Sequence, residues 1–71
     1  MSKTLEDLGY EKRENDYYVI FYKGDEQISF DKLRKEIVGE RFIEDGDYTT
    51  KHITMEELKA IYQYCIDNKW I

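Results

Sequence analysis

The hydrophobic pattern of this chain changes period along its length. From Tyr17 to Tyr22 every residue is β-branched or aromatic, as a pleated surface favours. From Gln27 to Phe30 polar and apolar residues alternate. Ile28 and Phe30 therefore share one face of a half-buried strand. From Met55 onward the period lengthens. Leu58, Ile61, Tyr62 and Cys65 stand at i, i+3, i+4 and i+7, with Met55 and Ile66 at the edge of the stripe and Glu56, Lys59, Gln63 and Asp67 facing away. This spacing predicts one amphipathic helix from Met55 to about Asp67. Its start is spelled out in Ile53-Thr54-Met55-Glu56-Glu57-Leu58. Thr54 is the cap, Glu57 is placed to reach back to it, and Ile53 and Leu58 are placed to clamp the helix start from both sides. Asn68 terminates the helix, and Trp70-Ile71 folds back as an apolar plug.

Proline is absent, so turns fall to Gly, Asn and Asp. Residues 4–9 read as one short helical turn, with Thr4 capping, Leu5 and Leu8 on one face and Gly9 ending it. Tyr10 to Arg13 reads as a first strand, followed by a turn at Glu14-Asn15-Asp16. Gly24-Asp25 is a two-residue hairpin loop. Residues 31–42 admit two readings: a helix capped by Asp31, or a turn over Asp31 to Arg34 followed by a strand from Lys35 to Phe42. The β-branched pair Ile37-Val38 and the lone Gly39 favour the strand, with a bulge at the glycine. Glu44 to Asp47 is a turn, and Tyr48-Thr49-Thr50 a short extended piece leading to the helix.

One helix with one apolar stripe needs a surface to cover, and a short antiparallel sheet supplies it. The expected architecture is a single α+β domain over residues 1–71: a β-meander of three to four strands, one C-terminal helix on one face and a short N-terminal helical turn. Strand 17–22 then poses a problem. Tyr17, Val19 and Phe21 form one face and Tyr18, Ile20 and Tyr22 the other; both are apolar or aromatic, and one helix covers only one.

With 71 residues there is room for one core, and domains this small commonly need a staple. The single cysteine, Cys65, excludes an internal disulfide. No Cys/His cluster supports a structural zinc, which leaves oligomerisation. Sixteen acids against eleven bases give a net charge of −5, which disfavours nucleic-acid backbones and anionic membranes. Residues 1–43 carry ten acids and eight bases, for −2; residues 44–71 carry six acids and three bases, for −3. No apolar run reaches membrane-span length and no secretory signal pattern opens the chain, so a cytosolic setting is expected.

The candidate chemistry is sparse. Tyr18 and Tyr22, or Tyr17 and Phe21, are candidate stacking platforms for bases, but such platforms come with basic surrounds. Tyrosine is also enriched in protein interfaces, and a ring in a strand is most often a core or cross-strand partner. His52 has Glu56 four residues on and no nucleophile pattern, so it reads as a surface histidine. Cys65 lies on the helix stripe and reads as a small buried hydrophobe. Glu44-Asp45-Gly46-Asp47 lacks the ligand spacing of a calcium loop and reads as a solvated turn. The acidic run from Glu44 to Glu57 either complements the helix dipole or imitates a phosphate backbone. No phosphate-binding, hydrolase, metalloprotease or C-x-x-C motif is present, so the chain reads as a non-enzyme with no cofactor and no metal.

The block Ile53-Thr54-Met55-Glu56-Glu57-Leu58-Lys59-Ala60-Ile61 with Trp70 resembles the C-terminal end of small uncharacterised proteins encoded by phages and prophages of Gram-positive bacteria. Tyr10-Glu11-Lys12-Arg13, Tyr17-Tyr18 and Phe30-Asp31-Lys32 are similar in order and spacing. A common pattern there ends in Gly-Trp, where this chain has Lys69-Trp70. The resemblance implies phage or prophage origin and the host cytoplasm, supports the turn-then-strand reading after Phe30, and supplies no activity. The expected function is non-catalytic protein–protein interaction, with a second copy of the chain as one candidate partner and Tyr17, Tyr18, Phe21 and Tyr22 as the candidate face. The alternative is nucleic-acid association, direct or through acidic mimicry of the phosphate backbone.

Overall fold

A computed structural model describes residues 3–71. Five strands form one antiparallel meander in chain order: β1 (Glu11–Glu14), β2 (Tyr18–Lys23), β3 (Glu26–Asp31), β4 (Glu36–Phe42) and β5 (Tyr48–Thr50). A single helix, α1 (Met55–Asp67), follows. The α+β class and the C-terminal helix are as the sequence predicts. The strand count is five, not three to four. The additional order lies at the two edges, where every residue of β1 and β5 is exposed. Neither carries an apolar alternation; each is held by its ladder to β2 or β4.

The hairpins close on local chemistry. The Asn15 side-chain oxygen accepts from the backbone N–H groups of Tyr17 and Tyr18, both at 2.8 Å. Lys23 pairs with Glu26 across the Gly24-Asp25 loop, and Gly24 takes the positive φ of 60° such a turn demands. The Asp31 carboxylate accepts from the N–H groups of Leu33 and Arg34, an Asx-type turn. This turn settles residues 31–42 as turn and strand. The β3–β4 register runs unbroken through Gly39, opposite Ile28, so there is no bulge. A Cβ on Gly39 would stand 3.0 Å from Ile53 Cδ1 and 3.4 Å from Lys51 Cγ. The glycine is there because the segment leading to α1 crosses the sheet at that point.

Val19, Phe21, Ile28 and Phe30 project from the central strands to one side and are fully buried. Leu5, Tyr10, Ala60, Ile61 and Cys65 complete the core, with Leu8, Tyr64 and Trp70 packed on it. The Tyr64 ring lies 5.3 Å from that of Phe21 and 5.1 Å from that of Phe30. The N-terminal segment matches the expected helical turn in outline. Thr4 and Asp7 cap each other reciprocally at 3.0 Å, successive turns span residues 5–9, and Leu5 is driven into the core.

The buried side of α1 is not the predicted stripe. It consists of Glu57, Ala60, Ile61 and Cys65, with Tyr64 partly buried, while Leu58 and Tyr62 are exposed. The helix is turned by about one residue's worth of rotation. The reason is polar: the carboxylate of Glu57 is held on the sheet side by Tyr10 and Lys51.

Candidate functional site

Strand alternation and the register place the other sheet face residue by residue. Tyr18, Ile20 and Tyr22 of β2 form one column, and Gln27, Ser29 and Asp31 of β3 a polar column beside it. Glu36, Val38, Glu40 and Phe42 of β4 follow, and Tyr48 and Thr50 of β5 close the face. Glu11 and Arg13 of β1 border β2. No described element covers this face. Tyr18, Val38, Phe42 and Tyr48 are exposed, and Ile20 and Tyr22 half-buried. The rings of Phe42 and Tyr48, directly paired across β4 and β5, meet edge-on at 5.6 Å. The guanidinium of Arg13 lies 5.5 Å from the Tyr22 ring centre, a cation–π distance. An open depression lined by Arg13, Ile20, Tyr22 and Gln27 marks the β2 column.

The four predicted interaction residues separate. Tyr18 and Tyr22 lie together on the open face. Phe21 has no exposed surface and belongs to the core, because strand alternation puts it with Val19 on the helix side. Tyr17 precedes β2, is 59% exposed, and its carbonyl accepts from Lys32 N–H at 2.9 Å, so it stands at the end of the sheet rather than on the face. Sequence pattern alone does not mark Phe42, Tyr48 and Val38; the register of β4 with β3 and β5 places them on this face. The face is acidic as well as aromatic: Glu11, Asp31, Glu36 and Glu40 stand against one base, Arg13.

The helix start forms the other notable cluster. The capping box is complete, with Glu57 N–H donating to Thr54 Oγ1 at 3.1 Å and Thr54 N–H to Glu57 Oε1 at 2.9 Å. The same carboxylate is 5% exposed and faces Lys51, itself 6% exposed. Lys51 Nζ donates to Glu57 Oε1 at 3.0 Å and to the His52 carbonyl at 2.9 Å, and lies 3.9 Å from Glu26 Oε2. The Tyr10 hydroxyl donates to Glu57 Oε2. Arg41 closes the chain with a 2.6 Å contact to Glu26. Burial alone would raise the Glu57 pKa. The hydrogen bonds from the Thr54 backbone, Tyr10 and Lys51, with the Lys51 charge, overcome this and lower it to about 2. Burial, then the Glu57 hydrogen bond and charge, push the Tyr10 hydroxyl far above its ordinary range. Every buried side-chain polar atom among the described residues has a partner. A closed, fully satisfied network of this kind orients structure.

Ile53 and Leu58, expected to clamp the helix start, both remain partly exposed, and Ile53 reaches over Gly39. His52 is exposed, and Cys65 is buried with its thiol pKa raised by that burial. Among the described residues no three His, Cys, Asp or Glu side chains converge on a point that could hold a metal ion, and no helix is long and apolar enough to cross a membrane.

These features define a class, a small α+β domain whose five-stranded meander is covered on one side and open on the other. No protein-family model matches the chain, and no match is found among curated proteins or solved structures.

Proposed function

We propose that the chain is a non-catalytic interaction module that binds a protein partner through the open face of its sheet. The observation that carries this reading is the set Tyr18, Ile20, Tyr22, Val38, Phe42 and Tyr48, displayed together on a face that no described element covers. Rings held on a rigid sheet give contact area at low conformational cost, and tyrosine and phenylalanine concentrate in interface cores. The charges around them set the partner's character. Four acids against one base favour a basic surface, and two copies of this face would set acid against acid. A nucleic-acid-binding protein is one partner of that charge, which keeps acidic mimicry within the proposal; direct binding to phosphates runs against the same surplus. The resemblance at the helix start supports a phage or prophage protein working in the host cytoplasm.

The test is capture from a Gram-positive host lysate with wild-type chain and with the Tyr18→Ser/Tyr22→Ser variant. The expected result is a basic protein retained by the wild type, released as salt rises, and lost by the variant. Identical capture by both would sink the aromatic-face reading. Retention of the wild type on single-stranded DNA at low salt would replace it with direct binding.

A further inference from the structure

The rotation of α1 leaves a second apolar surface, on the opposite side of the molecule from the open sheet face. Leu58, Tyr62 and Ile66 stand four residues apart and form a single ridge along the helix, with Met55 in line at its start. Beside the ridge, Ile53 lies over Gly39 and Ile37 emerges from β4. At the far end Ile71 and Ile37 both line a small hollow next to Cys65 and Trp70. These seven side chains are between 38% and 77% exposed. At about 150–250 Å² for the tyrosine and somewhat less for the six other side chains, they present on the order of 500–700 Å² per copy, somewhat under the roughly 800 Å² that each partner gives a standard interface. A typical monomer's largest patch is about 300–600 Å².

We infer that this ridge is the self-association surface of the protein and that its occupant is the same ridge of a second copy. Four features favour a second copy. A row with four-residue spacing is self-complementary: in an antiparallel arrangement with the two-fold axis at Tyr62, Leu58 of one copy meets Ile66 of the other, and tyrosine meets tyrosine. Interdigitating two such rows is the commonest way helices pack, crossing at about −50°. Charge permits it as well. Glu56 pairs with Lys3 and Asp67 with Gln63 on the side of the N-terminal segment, so no acid stands in the ridge. The antiparallel arrangement also sets the two helix dipoles head to tail.

Sedimentation of the full chain tests this. Up to ~100 µM the wild type is expected to show twice the 8.7 kDa chain mass. Tyr62→Glu is expected to sediment as one chain, its dimer at least ~30-fold weaker, as for a central interface residue, with helical circular dichroism unchanged. Leu58→Ser, a milder change at an exposed position, is expected to weaken the dimer in the same direction and serves if Tyr62→Glu unfolds. A wild type of single-chain mass throughout would overturn the inference, as would undiminished dimers in the folded variants. A dimer lost only in Tyr18→Ser/Tyr22→Ser would move self-association to the open sheet face and overturn it too.

Discussion

Glu57 serves three masters: the backbone of Thr54, the hydroxyl of Tyr10 and the ammonium of Lys51. Its carboxylate titrates at about 2 in the folded chain against an ordinary 4.5. Between those values the unfolded chain binds the proton and the folded chain does not. The contribution, on the order of 3 kcal/mol, is therefore full above about pH 5 and lost as pH falls towards 2. Tyr10 works at the other end. Its pKa is raised, so its contribution is full below pH 10 and declines as pH rises past that value. Denaturant titration across pH is thus expected to show a plateau with an acid limb. In Glu57→Gln the limb between pH 4.5 and 2 flattens and neutral-pH stability drops by roughly 3–5 kcal/mol, because Lys51 keeps its burial and loses its close partner. An acid limb unchanged by the substitution would contradict this assignment.

At the scale of elements, the end of α1 turns on one residue. Lys69 has φ of 59°, Trp70 N–H bonds to the Cys65 carbonyl at 2.9 Å and Lys69 N–H to that of Ile66 at 3.0 Å, and the Trp70 ring packs 5.5 Å from that of Tyr64. This is a Schellman cap with its apolar contact, closed by a lysine at the position where glycine is usual. Lys69→Gly is expected to stabilise by roughly 0.5–1 kcal/mol, the relief of left-handed strain less the entropy of a freer unfolded chain. Thermal unfolding measures it; a loss of stability would show that the lysine side chain is needed.

The elements legible in sequence are those written in local chemistry. The Thr54/Glu57 box, the Gly24-Asp25 loop and the Asp31 turn all concern neighbours within a few residues, and each forms as predicted. What stayed hidden depends on distant partners. Nothing near Glu57 announces Tyr10 and Lys51, and without them the helix stripe is centred about one residue off. Gly39 suggested a bulge because its true neighbour, Ile53, is remote in the chain. Tyr18 and Tyr22 were visible as half of the open face, but a strand apolar on both sides does not say which side is out. Phe42 and Tyr48 join them only once β4 and β5 are in register.

The whole molecule is an ordered series of adjacent pairings. Each strand bonds only to strands before and after it in sequence, and three of the four hairpin loops are tied by Asn15, Gly24 or Asp31. Against that local background the hydroxyl of Tyr10 and the carboxylate of Glu57 meet across 47 residues. In kinetic terms, chains rich in neighbour contacts cross their folding barrier quickly, and a closure between such distant residues is expected late. The Tyr10–Glu57 latch then forms on the native side of the barrier. Tyr10→Phe should leave the refolding rate nearly unchanged and accelerate unfolding, with a φ-value near zero, readable from the two arms of a chevron plot. A refolding rate that falls with stability would place the latch in the nucleus. On the expected outcome, Tyr10 and Glu57 set how long the protein stays folded rather than how fast it gets there, and residence in the native state becomes the property that this long-range bond controls.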